Sequence, residues 1–405
     1  MLYQTYQAHA DMAWPMRTAA KMSVPALRGA ALGALASATT HKAAAALELL
    51  ALAEVTHRRP DWGIDAVEVK GEAVPVGEEV VVDAPFGALR RFVKAGAAPQ
   101  PKVLVVAPMS GHFATLLRDT VRTLLQDHDV HVTDWHNVRD VAPAEGRFGL
   151  DEYIQHVIDF LAAMGPDTHV VAVCQPCVAA LAAVALMSED RHPATPASLT
   201  LMAGPIDCRI SPTVVNRLAT ERPIDWFERN LISRVPWRYR GGGRRVYPGF
   251  VQLSAFMNMN RERHLNAFRD YYRHRVQGEF DQAEVIRTFY EEYLAVADLA
   301  ADFYLETVDL VFQRFALPKG ELRFRGRKVD PAAIRRTALL TVEGERDDIC
   351  AIGQTLAAQD LASSLRPYMR THYVQPDVGH YGVFSGKRWQ KHIYPLVRDV
   401  IHVSG

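Results

Sequence analysis

Cysteine is scarce in this chain, with four in 405 residues. That is too few for a disulfide scaffold and fits a reducing compartment. Long hydrophobic runs are missing as well. No apolar stretch approaches the ~20 residues of a membrane-spanning helix, and the longest, residues 30–40, is bounded by Arg28 and Lys42 and carries Gly33. Net charge is absent, because 46 basic residues balance 46 acidic ones. No global field therefore draws the chain to nucleic acid or anionic lipid, and a nucleic-acid binder is disfavoured. The N-terminus lacks the basic region and compact apolar core of a secretory signal, so a cytoplasmic protein without a removed leader is expected. A phosphate-cradling glycine loop is lacking too. Gly241-Gly242-Gly243 lies among arginines with no strand before it and reads as a flexible turn. No repeat or low-complexity tract is visible.

What is present is an ordinary globular composition, 49% hydrophobic and 23% charged. The length allows two or three domains, or one large domain with an insertion. Residues 43–55 are rich in Ala and Leu and predict a helix, stopped by Arg58-Arg59-Pro60. Its apolar face is expected to bury against the body, with an apolar partner as the alternative.

From about Val74 short apolar runs alternate with helical patterns. Residues 78–83 and 87–93 predict two strands, and Lys102-Val103-Leu104-Val105-Val106-Ala107 a fully buried third. Residues 130–135, 169–173 and 198–202 continue the series, with helices at 150–163 and 177–187 between them. Buried strands alternating with helices indicate an α/β protein with a doubly wound, mostly parallel sheet. The alternation stops between about 211 and 335, a stretch rich in Arg and aromatics with one long helical pattern at 283–315. Strand signals return at 337–342 and 369–374. The expected organisation is an N-terminal helical segment (1–73) packed on the core, an α/β core (74–210 and 336–405), and a mainly helical, aromatic-rich cap (211–335).

Three loops that follow strand signals each offer a reactive group. Cys174 stands between a buried strand and a helix, where a sharp turn exposes the sulfur and the helix end favours a thiolate. Glu343-Gly344-Glu345-Arg346-Asp347-Asp348 follows the penultimate strand and supplies a carboxylate. The spacing favours Asp347 over Asp348, and Asp207 is the reserve acid. Asp377-Val378-Gly379-His380-Tyr381-Gly382 follows the last strand and supplies a histidine on a glycine-flanked loop. The order nucleophile, acid, histidine is that of the α/β-hydrolases. Ala172 and Pro176 occupy the small positions around the nucleophile.

These residues carry a resemblance. Ala172-Val173-Cys174-Gln175-Pro176, the acidic loop and Gly379-His380-Tyr381-Gly382-Val383-Phe384-Ser385-Gly386 resemble the intracellular polyhydroxyalkanoate (poly-3-hydroxybutyrate) depolymerases. The likeness extends to Leu2-Tyr3-Gln4-Thr5-Tyr6, Ala107-Pro108-Met109-Ser110-Gly111-His112-Phe113, Gly249-Phe250-Val251-Gln252-Leu253 and Asp302-Phe303-Tyr304-Leu305-Glu306-Thr307-Val308. The resemblance implies an α/β-hydrolase with Cys174 as nucleophile, Asp347 as acid and His380 as base. It also implies hydrolysis of stored polyester at a granule surface without metal or cofactor. Backbone N–H groups of Gln175 and Met109, with Ser110 as the alternative to Met109, are the expected oxyanion donors. A polyester synthase-like acyltransferase and a granule-binding protein without turnover are the alternatives. Cys177 departs from the family pattern and creates Cys174-Gln175-Pro176-Cys177. This has the form of a redox pair or an inhibitory disulfide, whereas Cys208 and Cys350 read as structural. His112 reads as a loop residue that is not a catalyst. Trp226, Phe227 and Trp237 flank Pro223 and Pro236 in loop-like sequence and are the expected polymer-contacting residues of the cap.

Overall fold

The computed structural model describes residues 2–32, 38–96 and 98–405. Much of the apolar run at 30–40 lies outside the described residues. The chain opens with α1 (Leu2–Leu32) and α2 (Ala38–Leu52), which pack on each other. The sheet begins with β1 (Ala66–Val69), β2 (Glu72–Ala84) and β3 (Gly87–Lys94). Then follow β4 (Lys102–Val106), α3 (Arg118–Leu124), β5 (Asp129–Trp135), α4 (Leu150–Met164), β6 (Thr168–Val173), α5 (Cys177–Glu189) and β7 (Ser198–Met202). β1 lies inside the N-terminal segment read as helical. Its four residues are too few for a period-2 pattern to show.

The cap begins with α6 (Val214–Glu221) and α7 (Ile224–Leu231), followed by β8 (Ser233–Arg234) and β9 (Arg245–Tyr247). Next come α8 (Gly249–Met259), α9 (Arg261–Gln277), α10 (Phe280–Tyr293), β10 (Leu299–Ala300) and α11 (Ala301–Thr307). The hairpin of β11 (Arg323–Phe324) and β12 (Arg327–Lys328) precedes the last two strands, β13 (Ala338–Gly344) and β14 (Arg370–Gln375).

Nine strands form one sheet in the order β1-β2-β3-β5-β4-β6-β7-β13-β14. Every neighbouring pair from β5 to β14 is parallel, and the three strands at the other edge are antiparallel. With helices on its faces, this is the α/β-hydrolase fold. The central strands β4, β6 and β7 are buried along their length, apart from Lys102 at the start of β4, because helices cover both faces. The chain runs from β4 outward to β5 and then crosses to β6 on β4's other side. The carboxyl ends of β4 and β6 therefore flank a topological switch point, where α/β sheets place ligands.

The helical pattern over 283–315 is interrupted. α10 ends at Tyr293, and residues 295–300 run extended and buried before α11. These small apolar residues satisfy their backbone elsewhere. Val296 N–H donates to Thr56 O (2.8 Å) and Ala297 N–H to Gly111 O (2.9 Å), and β10 pairs with β9. Backbone pairing offered by neighbouring segments has overridden local helix propensity. The stretch also braces the loop after β4. Buried Asp298 fixes it further, accepting from Tyr3 Oη (2.6 Å) and from Gly249 N–H (2.9 Å).

Candidate active site

Cys174 follows β6 with φ +68°, in the left-handed region that a non-glycine residue enters only under constraint. Its N–H donates to Met202 O (2.7 Å) and its carbonyl accepts from Cys177 N–H (3.1 Å). The turn therefore leads straight into α5, with Pro176 as N-cap. The side chain is half-buried. Close approach of β7 depends on Gly204. A Cβ there would lie 2.2 Å from Cys177 Cβ, 2.3 Å from its Sγ and 3.2 Å from Cys174 O. Cys177 is buried beneath the turn, its Sγ near Ala172 O (3.4 Å) and Met202 O (3.7 Å), and burial pushes its thiol well above the usual range. All four cysteines are free.

Asp347 and His380 meet at the same edge. His380 Nδ1 is 2.8 Å from Asp347 Oδ2, and Asp347 Oδ1 accepts from Ile349 N–H (2.9 Å) and Cys350 N–H (2.8 Å). Those two bonds fix the carboxylate so that its second oxygen faces the imidazole. Cys174 lies close enough to act on the charge of the histidine as well. Burial works against a charge on His380, but Cys174 and Asp347 outweigh it and hold its pKa well above the usual imidazole range. The imidazolium is thus favoured beside the sulfur. Asp348 is exposed. Asp207, the reserve acid, is engaged elsewhere by Arg209 (2.8 and 2.7 Å). Burial opposes ionisation of Asp207, but the guanidinium prevails and lowers its pKa.

Two supports of the acid loop were not singled out in the sequence. Glu343 is fully buried and accepts from Gly353 N–H (2.9 Å), Thr355 N–H (2.7 Å) and Leu356 N–H (3.0 Å). Thr355 Oγ1 in turn accepts from Gly204 N–H (2.8 Å) and donates to Gly204 O (3.0 Å). The acid loop and the turn beneath the cysteine are tied together.

The loop after β4 behaves differently from expectation at one atom. Met109 N–H is not open, because it donates to the Gln175 side chain (Oε1, 3.2 Å). A glutamine amide is long enough to fold back over its own turn, which spacing alone does not reveal. His112 is buried, with Nε2 3.1 Å from Tyr293 O; burial lowers its pKa to about 4, against a smaller opposing effect of that carbonyl.

The expected contact aromatics divide. Trp226 and Phe227 stand in α7, not in a loop. Pro223 serves as its N-cap, and Phe227 is buried on the face shared by Ile224 and Leu231. The prolines that suggested loop sequence are helix punctuation. Trp237 does stand in a turn and is exposed. The aromatics beside the reactive residues come from α8, α10 and the histidine loop. Tyr381 packs edge-on to His380 (5.9 Å) and to Phe289 (6.5 Å), Phe289 stacks on Tyr293 (5.3 Å), and His112 stacks on Phe256 (6.1 Å). Their helical register made them look like core. Burial first, then Tyr293 and Cys174, raises the Tyr381 pKa, so the phenol keeps its proton.

Among the described residues, no group of three or more His, Cys, Asp or Glu side chains is placed to hold a metal ion. No helix among them is long and apolar enough to cross a membrane. A polar cleft of about 710 Å³ opens at the ends of β2 and β5, lined by His57, Arg59, Asp134 and Asn137 among others; Cys174, Asp347 and His380 do not line it.

Residues 203–404 match the protein family described as PHB de-polymerase C-terminus. This C-terminal half of the chain belongs to that family. The PHB de-polymerase stretch contains Asp347 and His380, and Cys174 lies ahead of it. Among solved structures, the chain is similar to an alpha/beta hydrolase (GrgF) from Penicillium sp. sh18, at 14% identity, 82% of this chain and 99% of that one covered, and a TM-score of 0.45. It is also similar to a thermophilic esterase from Thermogutta terrifontis (13%, 83% and 98%, 0.42). A third is a putative lipase from Acinetobacter baumannii AYE (11%, 81% and 93%, 0.42). No curated protein matches the chain.

Proposed function

We propose that the protein hydrolyses ester bonds of stored poly-3-hydroxybutyrate or a related polyhydroxyalkanoate, with Cys174 as nucleophile, His380 as base and Asp347 as its orienting acid. The observation that carries this reading is the Asp347–His380 hydrogen bond (2.8 Å) beside Cys174, which stands at a strained strand–helix turn and helps to raise the His380 pKa. The polyester substrate is supported by the PHB de-polymerase family of residues 203–404.

The raised pKa of His380 favours an imidazolium beside the Cys174 sulfur before substrate arrives. The Cys174 thiolate attacks the ester carbonyl, and the oxyanion is held by the Gln175 N–H and a donor from the loop after β4. Met109 serves in that role once the Gln175 side chain withdraws. His380 then gives its proton to the departing alkoxide, and a 3-hydroxyacyl thioester remains on the sulfur. Water, deprotonated by His380, attacks this thioester; collapse releases the acid and restores thiolate and imidazolium. Phe256, Phe289, Tyr293 and Tyr381 offer an apolar wall on which the polymer's methyl and methylene groups can rest.

Incubation with amorphous poly-3-hydroxybutyrate granules tests the reading. Free 3-hydroxybutyrate or its short oligomers should accumulate with the wild-type protein and not with Cys174→Ala, while Cys177→Ala stays active. Accumulation undiminished in Cys174→Ala would remove the nucleophile assignment. Incorporation of 3-hydroxybutyryl-CoA into polymer would make the protein an acyltransferase, and binding without product would make it a coat protein.

A further inference from the structure

α1 presents an outward face that its sequence does not need for folding. At 100° per residue, Met12, Pro15, Met16 and Met22 fall within one arc of about 120°, with Ala8, Ala19 and Ala26 between them and the uncharged polar Gln4, Thr5 and Ser23 on the same arc. Met12 is 83% exposed, Met22 76% and Met16 56%. Beyond the edge of the stripe lies Asp11, and one turn further on, about 80° round the helix from that edge, stands Trp14, 62% exposed. Asp11 takes both nitrogens of Arg238 (2.8 and 2.9 Å), and Arg238 is the neighbour of Trp237, 86% exposed. The Asp11–Arg238 pair thus sets Trp237 at the edge of the methionine stripe, with Trp14 on the far side of that pair.

Neither element is loosely held. α1 is pinned by Tyr3 on Asp298 and by Tyr6, whose ring stacks on Phe250 at 3.8 Å. The Trp237 turn is closed by Gly243 N–H on Val235 O, Gly242 N–H on Tyr239 O and Gly241 N–H on Arg139 O (2.9 Å each). The triple glycine is what lets the indole lie there, since a Cβ on Gly243 would come within 2.9 Å of Trp237 Cη2. The glycines do form a turn, as expected, and three hydrogen bonds close it.

The charges around the stripe say what it fits. Lys21 pairs with Glu54, Arg28 with Glu48 and Arg17 with Ala53 O, so the cations of α1 face the protein; His9 lies at the margin of the stripe. A helix that docks on anionic lipid carries unpaired Lys and Arg beside its apolar face, and this one does not. A convex helix cannot enclose a single chain, so the partner is an extended, uncharged, apolar surface about 27 Å or more across. We propose that α1 and the Trp237 turn form the contact face by which the protein sits on the surface of a solid polyester particle. This rests on the polyester reading above.

The test uses the full chain and amorphous poly-3-hydroxybutyrate granules, scored by co-sedimentation. One variant combines Met12→Gln, Met16→Gln and Met22→Gln, and a second is Trp237→Ala; both replace exposed side chains and are checked for an unchanged Tm. The expected result is at least a tenfold loss of granule affinity in the triple variant and a several-fold loss in Trp237→Ala, with kcat/KM on p-nitrophenyl butyrate unchanged. Sedimentation of wild type and both variants to the same extent overturns the contact face, as does a wild-type protein that does not sediment. A wild-type dimer that the triple variant converts to monomer assigns the stripe to a second copy instead. Equal wild-type binding to phosphatidylcholine vesicles assigns it to lipid. Failure of the polyester reading looks different: granules bind through the stripe, but no hydroxy acid is released.

Discussion

Burial works against a charge on the His380 imidazole, but Cys174 and Asp347 prevail over it and raise its pKa in the folded protein. Replacing Asp347 with Asn keeps the shape and removes the charge and the correct tautomer. By the behaviour of other triads, kcat on p-nitrophenyl butyrate should fall roughly 10³–10⁴-fold, with little change in Tm. A loss under tenfold would mean that Asp347 does not orient the base. Gln175 works in the opposite sense. Its side chain occupies Met109 N–H, and opening that neutral hydrogen bond costs about 0.5–1.5 kcal/mol. Gln175→Ala should therefore raise kcat/KM on a small ester by roughly 2–10-fold. A fall of tenfold would show instead that the amide holds the loop in its working shape. Cys174, Asp347 and His380 were legible because each follows a strand signal in chain order. The Gln175–Met109 contact and the Glu343 support were not, since each joins a side chain to backbone that only the folded loops bring near.

At the level of elements, the buried strands β4, β6, β7 and β13 announced themselves through apolar runs, whereas β2, β3, β5 and β14 fall on mixed strand signals and β2 and β14 are largely exposed or half-buried. The departures have a common cause. Residues 295–300 and β1 are held by pairing with partners remote in sequence, and Pro223 and Pro236 read as loop punctuation although Pro223 starts a helix. The turn beneath Cys174 shows how one element depends on another. Gly204 lets β7 and α5 approach, and an added methyl would overlap Cys177. Gly204→Ala should lower stability by about 1–3 kcal/mol and reduce kcat together with Tm, read by thermal unfolding and ester assay. An unchanged Tm would mean that the sheet relaxes freely there, contrary to a tightly packed elbow.

Across the whole molecule, burial places six histidines below their ordinary pKa: His57 at about 3, His112, His128 and His169 at about 4, and His131 and His264 also lowered. Unfolding returns each to about 6.5. Between those values the unfolded chain binds protons that the folded one refuses, so their stability contribution is complete above pH 6.5 and is lost as pH falls towards 4. Asp298, raised by burial to about 6, acts in the reverse direction over nearly the same window but is one group against six. His380, raised in the folded state, opposes this slope only near pH 6.5, where the unfolded imidazole loses its proton, and adds none well below that. Stability should thus drop between pH 6.5 and 4, by about 1.4 kcal/mol per pH unit for each net proton, as denaturant titrations at several pH values would read. A flat or rising profile would mean that these histidines are charged in place.

The central claim is that an ester carbonyl is transferred to the sulfur of Cys174. Rapid acid quench during turnover of a short 3-hydroxybutyryl ester, followed by peptide mass spectrometry, reads that transfer directly. The account predicts a 3-hydroxybutyryl adduct on the Cys174 peptide, removed by neutral hydroxylamine and missing in Cys174→Ala. An adduct on a serine, or product formation in Cys174→Ala at the wild-type rate, would contradict it.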